Sequence, residues 1–123
     1  MIGISNCRWI ANKSLVERAY TITNHDGTTS TGLQLIGWNA QGEHVQSWNF
    51  SADGGHAIGV WTPRDGGWEA EVRGTTGAGI STTATNHLRR LDDNAYVWQS
   101  INRTAGGQPL PDSAEVVLRR SAK

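Results

Sequence analysis

The side chains of this 123-residue chain that could bind a metal or act as acid, base or nucleophile are four histidines, one cysteine and eleven carboxylates. The histidines form no H-x-H or H-x-x-x-H pair: His25, His44, His56 and His87. The lone Cys7 adds one soft ligand and carries no local signature of an activated thiol. A metal site needs three or four converging N, S or O ligands. We therefore predict no metal site, no cofactor and no nucleophilic catalytic residue.

Two of the histidines remain candidates for acid–base chemistry. His56 and His87 are the two that we expect inside strands, and a histidine changes its charge near neutral pH. A small isomerase or cyclase that uses one of them is therefore one functional alternative. The glycine-rich run 74–79 follows a charged strand and opens no helix, so it is not a phosphate-binding loop.

Six tryptophans supply apolar bulk in a chain whose aliphatic content is low. They fall in six separate predicted strands or strand starts: Trp9, Trp38, Trp48, Trp61, Trp68 and Trp98. One interpretation is that they fill the core and close the ends of a barrel, because tryptophan carries a large apolar surface. The other interpretation is an aromatic-lined pocket for a flat or apolar ligand. Both interpretations stay open at this point.

The elements that must position these residues are strands, because the hydrophobic pattern has a period of two. Trp68, Ala70 and Val72 alternate with charged residues, and Arg18 shares a face with Tyr20. Glycine, Asn and Asp turn signals recur every 12–16 residues along the chain. We interpret 14–20 as strand rather than helix, because poor helix formers follow it, and we expect the last strand over 114–118.

These patterns predict an all-β fold in a single domain spanning 1–123. Eight or nine short strands joined by hairpins must hide their edges, and closure of an antiparallel up-and-down meander into a barrel does so. An eight-stranded barrel is just wide enough to be filled by side chains or to hold one small ligand. We therefore expect a lipocalin-like barrel of eight or nine strands, with any function in its interior.

Seven residues are our candidates for a ligand-binding site in that interior. Four aromatic side chains are expected to line it, and three polar ones to anchor the ligand: Trp48, Phe50, Trp61 and Trp98, with His56, Gln99 and Arg103. Gln99 shares a face with Arg103, so an inward orientation would require a partner such as a ligand carboxylate. The alternative is a salt bridge at the barrel rim, where exposed ion pairs are common.

Several segments together resemble a known type of domain. They are Leu35–Asn39, Val45–Gly55, Gly59–Trp61, Gly67–Trp68 and Tyr96–Arg103. With these tryptophan spacings, the chain from about Cys7 to Leu118 is similar to lipocalin-like (calycin-type) domains found downstream of SnoaL-like, NTF2-type domains in bacterial proteins. The resemblance implies a β-meander barrel and an apolar ligand, without an established reaction. His56 departs from the pattern, which has an aromatic residue after the Asp-Gly-Gly turn.

Charge and composition exclude other classes of function. The formal net charge is zero, which argues against a nucleic-acid binder, and no apolar run is long enough for a membrane span. The N-terminal residues lack the pattern of a signal peptide, so we expect a soluble domain that is cytoplasmic by default. The abrupt start of the apolar pattern is also compatible with a domain cut from a longer chain. The leading hypothesis is non-catalytic binding of a small hydrophobic or aromatic ligand. Alternatives are an interaction or dimerisation module beside a SnoaL-like domain, including a homodimer, or the isomerase or cyclase above.

Overall fold

Ten β-strands make up the secondary structure of the described part of this protein. The computed structural model describes residues 2–120, so Met1 and 121–123, which the predicted domain includes, lie outside the described residues. The strands are β1 Ile2–Ile10, β2 Leu15–Thr23, β3 Thr29–Asn39, β4 His44–Ser51, β5 His56–Arg64, β6 Gly67–Thr75, β7 Ser81–Asp92, β8 Ala95–Ala105, β9 Gln108–Pro109 and β10 Val116–Arg120. The predicted all-β class is confirmed. Within residues 2–120, no helix is long and apolar enough to cross a membrane.

The strands form an antiparallel meander that closes into a barrel of nine strands. β1 to β8 each pair with the next strand along the chain, and β10 then joins β8 to β1. An up-and-down meander with an odd number of strands must close through a parallel pair, because its first and last strands run in the same direction. The pairing of β10 with β1 is indeed parallel, with Gly3 beside Leu118. β9 is a two-residue extension that pairs with the far end of β8.

Local sequence explains where the strands begin and end. The hairpin between β7 and β8 turns at 93–94, as the Asp and Asn residues there predict. Residues 15–23 form a strand, which confirms the choice of strand over helix for 14–20. The last strand begins at Val116 rather than Ala114. In the link before it, Ser113 donates its N–H to the Ser100 carbonyl oxygen, and its Oγ accepts a hydrogen bond from the Ser100 N–H.

The register decides which face of each strand points into the barrel. Trp61 lies beside Ala70, and Gly59 beside Val72, so the apolar series of β6 faces inward and its Glu69 and Glu71 face outward. Ala70 is completely buried in this interior. Along the same logic, the inward face of β2 carries Arg18, while Glu17 points outward and pairs with Arg8. The interior is therefore apolar on β6 and includes a charged side chain on β2.

Gly74 is a site where the curvature of the barrel demands glycine. A Cβ built on Gly74 would overlap the His56 carbonyl oxygen and would lie 2.6 Å from the Cβ of Ala57 on the neighbouring strand.

We expect Gly74→Ala to lower the free energy of unfolding by about 3 kcal/mol, because the backbone of the neighbouring strand must move. Gly27→Ala is the matched control, since it has open space around it and a φ of 86°. Its cost should be nearer about 1 kcal/mol, and urea unfolding of both variants measures the difference. Equal losses would contradict the crowding at Gly74.

Candidate functional site

Two adjoining cavities occupy the interior of the barrel. The polar cavity, of about 110 Å³, is bordered by several polar side chains: Arg18, Tyr20, Gln34, Ser47, Asn49 and Asn86, together with Ile22, Trp61, Val72, Trp98 and Leu118. The apolar cavity, of about 170 Å³, is bordered by Arg18, Gln34, Ile36, Val45, Trp61, Trp68 and Leu88. The two share Arg18, Gln34 and Trp61. The interior is therefore divided into a polar half and an apolar half that meet at Arg18.

A row of polar side chains crosses three neighbouring strands inside the barrel. Arg18 on β2 lies directly opposite Gln34 on β3, which lies opposite Asn49 on β4. Gln34 is 3% exposed, and its Nε2 donates a hydrogen bond to Oδ1 of Asn49 at 3.3 Å. Side chains directly opposite on one face of a sheet are close neighbours. The row therefore presents a guanidinium and two amides to the same space.

Arg18 has no acidic partner in the barrel. No Asp or Glu borders the polar or the apolar cavity, and no salt bridge within residues 2–120 includes Arg18. Part of the side chain is accessible from the cavities, but its Nε is buried and without a hydrogen-bond partner in the described structure. Burial lowers the pKa of Arg18, against the opposite effects of the Cys7 thiol and the phenols of Tyr20 and Tyr96. An arginine keeps its proton even so. Within residues 2–120, Arg18 therefore forms no ion pair; Asp93, which borders a third cavity with Arg18, pairs with Arg90.

Two amide oxygens in the same interior also lack partners. Oε1 of Gln34 and Oδ1 of Asn86 are buried and accept no hydrogen bond from residues 2–120. Asn86 lies on β7, across the barrel from β2, and both residues border the polar cavity. Burial raises the pKa of Tyr20, while the nearby Arg18 lowers it, so the phenol stays neutral at ordinary pH. Buried polar atoms are nearly always hydrogen-bonded, so this group of unpaired atoms is unusual.

Trp61 is held in the barrel wall by a buried hydrogen bond. Its Nε1 donates to Oγ of Ser47 at 2.8 Å, and Ser47 is only 1% exposed. Gly59 leaves room for this contact, because a Cβ there would lie 2.8 Å from the Ser47 hydroxyl. The bond fixes the orientation of the indole ring that separates the polar from the apolar cavity.

One end of the barrel carries a ring of exposed aromatic side chains. Trp9 and Trp38 belong to inward-facing positions at this end, and each is 62% exposed. Trp68 and Tyr96 lie at the same end and border a third cavity, of about 240 Å³, which reaches Arg18. Exposed aromatic rings at a barrel opening give an apolar ligand a surface to contact before it enters. We call this set the aromatic mouth: Trp9, Trp38, Trp68 and Tyr96.

The structure brings two of the seven predicted site residues into the interior. Trp61 and Trp98 border the polar cavity. Trp48, Phe50 and His56 lie on the outer face, which corrects the expectation that they line the interior. The reason is register: their strands place Ser47, Asn49 and Ala57 inward, and a period of two sends every second residue outward.

Gln99 and Arg103 also lie outside the barrel interior. Gln99 is opposite the outward-facing His87, and its Nε2 donates to the carbonyl oxygen of Ser113 at 3.0 Å. Arg103 donates from Nη1 to the carbonyl oxygen of Pro111 at 3.1 Å. Within residues 2–120, Arg103 does not form the rim salt bridge that was the alternative. Both side chains hold the link between β9 and β10 beside β8.

The two candidate histidines lie on the outside of the barrel. His56 is exposed, and His87 forms a pair with Glu69 at 3.2 Å in a shallow outer groove. Neither borders the polar or the apolar cavity. In the part of the chain that the structure describes, no group of three or more His, Cys, Asp or Glu residues is placed to hold a metal ion.

Sequence reasoning missed the polar side chains that border the interior. Arg18, Gln34 and Asn86 each alternate with residues of the opposite face, so the period-two pattern already grouped Arg18 with Tyr20 and Gln34 with Ile36. The signal that could have identified them was a charged or amide residue inside an otherwise apolar inward series. This signal can be recognised only when it is known which face of each strand points into the barrel.

No protein-family model, no curated protein and no solved structure matches the chain. The barrel agrees with the architecture expected from the lipocalin-like resemblance. Membership in that family and association with a SnoaL-like domain therefore rest on the resemblance alone.

Ser47→Ala tests the hydrogen bond that orients Trp61. We expect a loss of about 1–3 kcal/mol in the free energy of unfolding, because the buried indole N–H loses its acceptor. Thr83→Ala is the matched control: the hydroxyls of Thr83 and Thr104 also form a hydrogen bond, at 2.6 Å, but an exposed one. That variant should change stability by less than about 0.5 kcal/mol. Chemical denaturation followed by tryptophan fluorescence measures both, and an unaffected Ser47→Ala protein would contradict the role of this bond.

Proposed function

We propose that this protein binds a small hydrophobic or aromatic molecule inside its β-barrel, without catalysing a reaction. The observation that carries the proposal is the pair of adjoining cavities in the interior. An apolar cavity of about 170 Å³ matches the size that holds a benzene-sized molecule; an engineered cavity of roughly 150 Å³ binds benzene. Aromatic and aliphatic side chains form most of its wall, as in typical small-molecule sites.

The aromatic mouth supports the same function. Trp38 and Trp9 are far more exposed than tryptophans that only fill a core, and they lie where a ligand would enter. Of the residues predicted from sequence, we include Trp61 and Trp98 in the proposed site, because both border the polar cavity. Val45, Ile36 and Leu88 replace Trp48 and Phe50 as the apolar contacts. We also propose, from the sequence resemblance, that the domain belongs with the lipocalin-like domains that accompany SnoaL-like domains.

Titration with a neutral aromatic molecule tests the proposal. We expect 3-phenyl-1-propanol to bind the wild-type protein in isothermal titration calorimetry and to raise its melting temperature. Val45→Phe adds a ring to the wall of the apolar cavity, so binding should weaken by at least about tenfold, because the ligand and the new side chain compete for one space. Val60→Phe, on the outer face of the adjacent strand, is the matched control and should bind as the wild type does. Equal binding by both variants would refute an interior site.

A second function is favoured by an apolar patch on the outside of the barrel. It covers β3, β4 and β5 and consists of Leu33, Leu35, Trp48, Phe50, Ile58 and Val60. Phe50 and Ile58 are each 46% exposed. Contiguous apolar surface of this kind marks interaction sites on soluble proteins.

The charges beside the patch indicate which partner it fits. Each flank carries both signs of charge, with Arg8 and Glu17 on one side and Glu71 and Arg73 on the other, so the patch is compatible with a second copy of itself. We propose self-association through this face.

Ile58→Glu tests the outer patch. At micromolar concentration we expect the wild-type protein to be a dimer and the Ile58→Glu variant to be a monomer. The variant would have to bury an unpaired carboxylate in the contact. Thr83→Glu, on the outer face of β7, is the control and should leave the mass unchanged. Light scattering coupled to size exclusion gives the mass directly. A monomeric wild-type protein would refute self-association and would leave the interior site untouched.

A further inference from the structure

The unpartnered charge inside the barrel carries an inference about the chemical class of the ligand. Arg18 borders the polar cavity, the apolar cavity and the cavity of the aromatic mouth. A buried ion without a partner destabilises a fold, and proteins retain one mainly where it has a function. Nothing in the described structure makes Arg18 necessary for folding, since it forms no salt bridge and its Nε forms no hydrogen bond.

The groups around Arg18 indicate which chemical group of a ligand could pair with its guanidinium. A carboxylate accepts hydrogen bonds from a guanidinium, often two at once, and such charge-assisted bonds are about twice as strong as neutral ones. Arg18 is the only Lys or Arg among the residues that border the polar and apolar cavities. A single positive charge is matched by a single negative charge, which favours a monocarboxylate over a doubly charged phosphate. The neutral phenol of Tyr20 adds no competing charge.

The two unpaired amide oxygens define a further group on the ligand. Oε1 of Gln34 and Oδ1 of Asn86 both need a donor, which a carboxylate does not have. A hydroxyl or N–H group next to the carboxylate would supply one. Gln34 is directly opposite Arg18 on the inner face and both border the polar cavity, so one head group in that cavity can face both side chains.

We propose that the ligand is a small monocarboxylic acid with a ring-sized apolar body and a hydroxyl or N–H donor beside its carboxylate. The carboxylate pairs with Arg18, the donor faces the amide oxygens of Gln34 and Asn86, and the apolar body fills the cavity bordered by Val45 and Leu88. The ligand thus spans the division between the polar and apolar halves of the interior. This inference rests on the proposed binding function and specifies its ligand.

A set of three ligands with the same ring tests the inference. They are 3-phenyl-1-propanol, which is neutral; 3-phenylpropionate, which adds the carboxylate; and phenyllactate, which adds a hydroxyl beside it. At neutral pH, the wild-type protein should bind 3-phenylpropionate about 10- to 100-fold more tightly than the alcohol, given the usual strength of hydrogen bonds to charged groups. Phenyllactate should bind a further several-fold more tightly, from one added hydrogen bond. Calorimetry gives the three dissociation constants.

The variant Arg18→Gln tests whether the preference for the acid comes from Arg18. It should lose the preference for the acid over the alcohol, because the affinity for the acid falls far more than the affinity for the alcohol. Its melting temperature should rise, because a buried unpaired charge has been removed. Arg73→Gln, on the outer face of β6, removes an equal charge without touching the cavities and should keep the preference. If Arg18→Gln does not fold, Arg18→Lys, which retains the charge, should keep part of the preference.

The outcomes separate this inference from the binding function on which it rests. Equal affinity of the wild-type protein for the alcohol and the acid would overturn the inference and leave the barrel as a site for neutral ligands. An acid preference that survives in Arg18→Gln would also overturn it. Failure of the wild type to bind any of the three ligands would overturn the binding function itself.

Discussion

Closure of the barrel is the constraint on which the rest of this structure depends. An odd number of strands in an up-and-down meander obliges the first and last to run parallel, and β10 supplies that pair by bridging β8 and β1. Closure removes the exposed strand edges that an open meander would present. It also fixes the width of the interior, so the side chains that point inward must either fill that space or leave part of it open.

The interior is only partly filled, and it is chemically divided. Ala70 and Gly59 occupy inward positions on β6 and β5, where neighbouring side chains leave no room for a larger residue at Gly59. On β2, β3 and β4 the inward positions include Arg18, Gln34 and Asn49 beside apolar residues such as Ile36 and Val45. Stability alone would favour apolar residues there, since burying an unpaired charge is unfavourable. The composition of the interior therefore agrees with the binding function that we propose.

The outer face shows the opposite arrangement on part of the barrel. Trp48, Phe50 and Ile58 point toward solvent on strands whose inward positions include Ser47 and Asn49. On β6 the pattern is the ordinary one, with Val72 inside and Glu71 outside. The expectation that apolar side chains point inward is therefore correct for β6 and wrong for β4. For this reason the sequence-based prediction placed Trp48 and Phe50 in the interior, although both lie on the outer face.

The sequence alone determined the class of fold, because alternation and turn residues act locally. The Trp68–Val72 series and the Asp-Asn turn at 92–94 predicted strands and hairpins without reference to the rest of the chain. Only the tertiary structure decided which face of β4 lies inside, since register and closure depend on neighbouring strands rather than on the strand itself. It alone also placed Arg18 opposite Gln34 and across the barrel from Asn86, because these residues are far apart along the chain and meet only through the closed sheet.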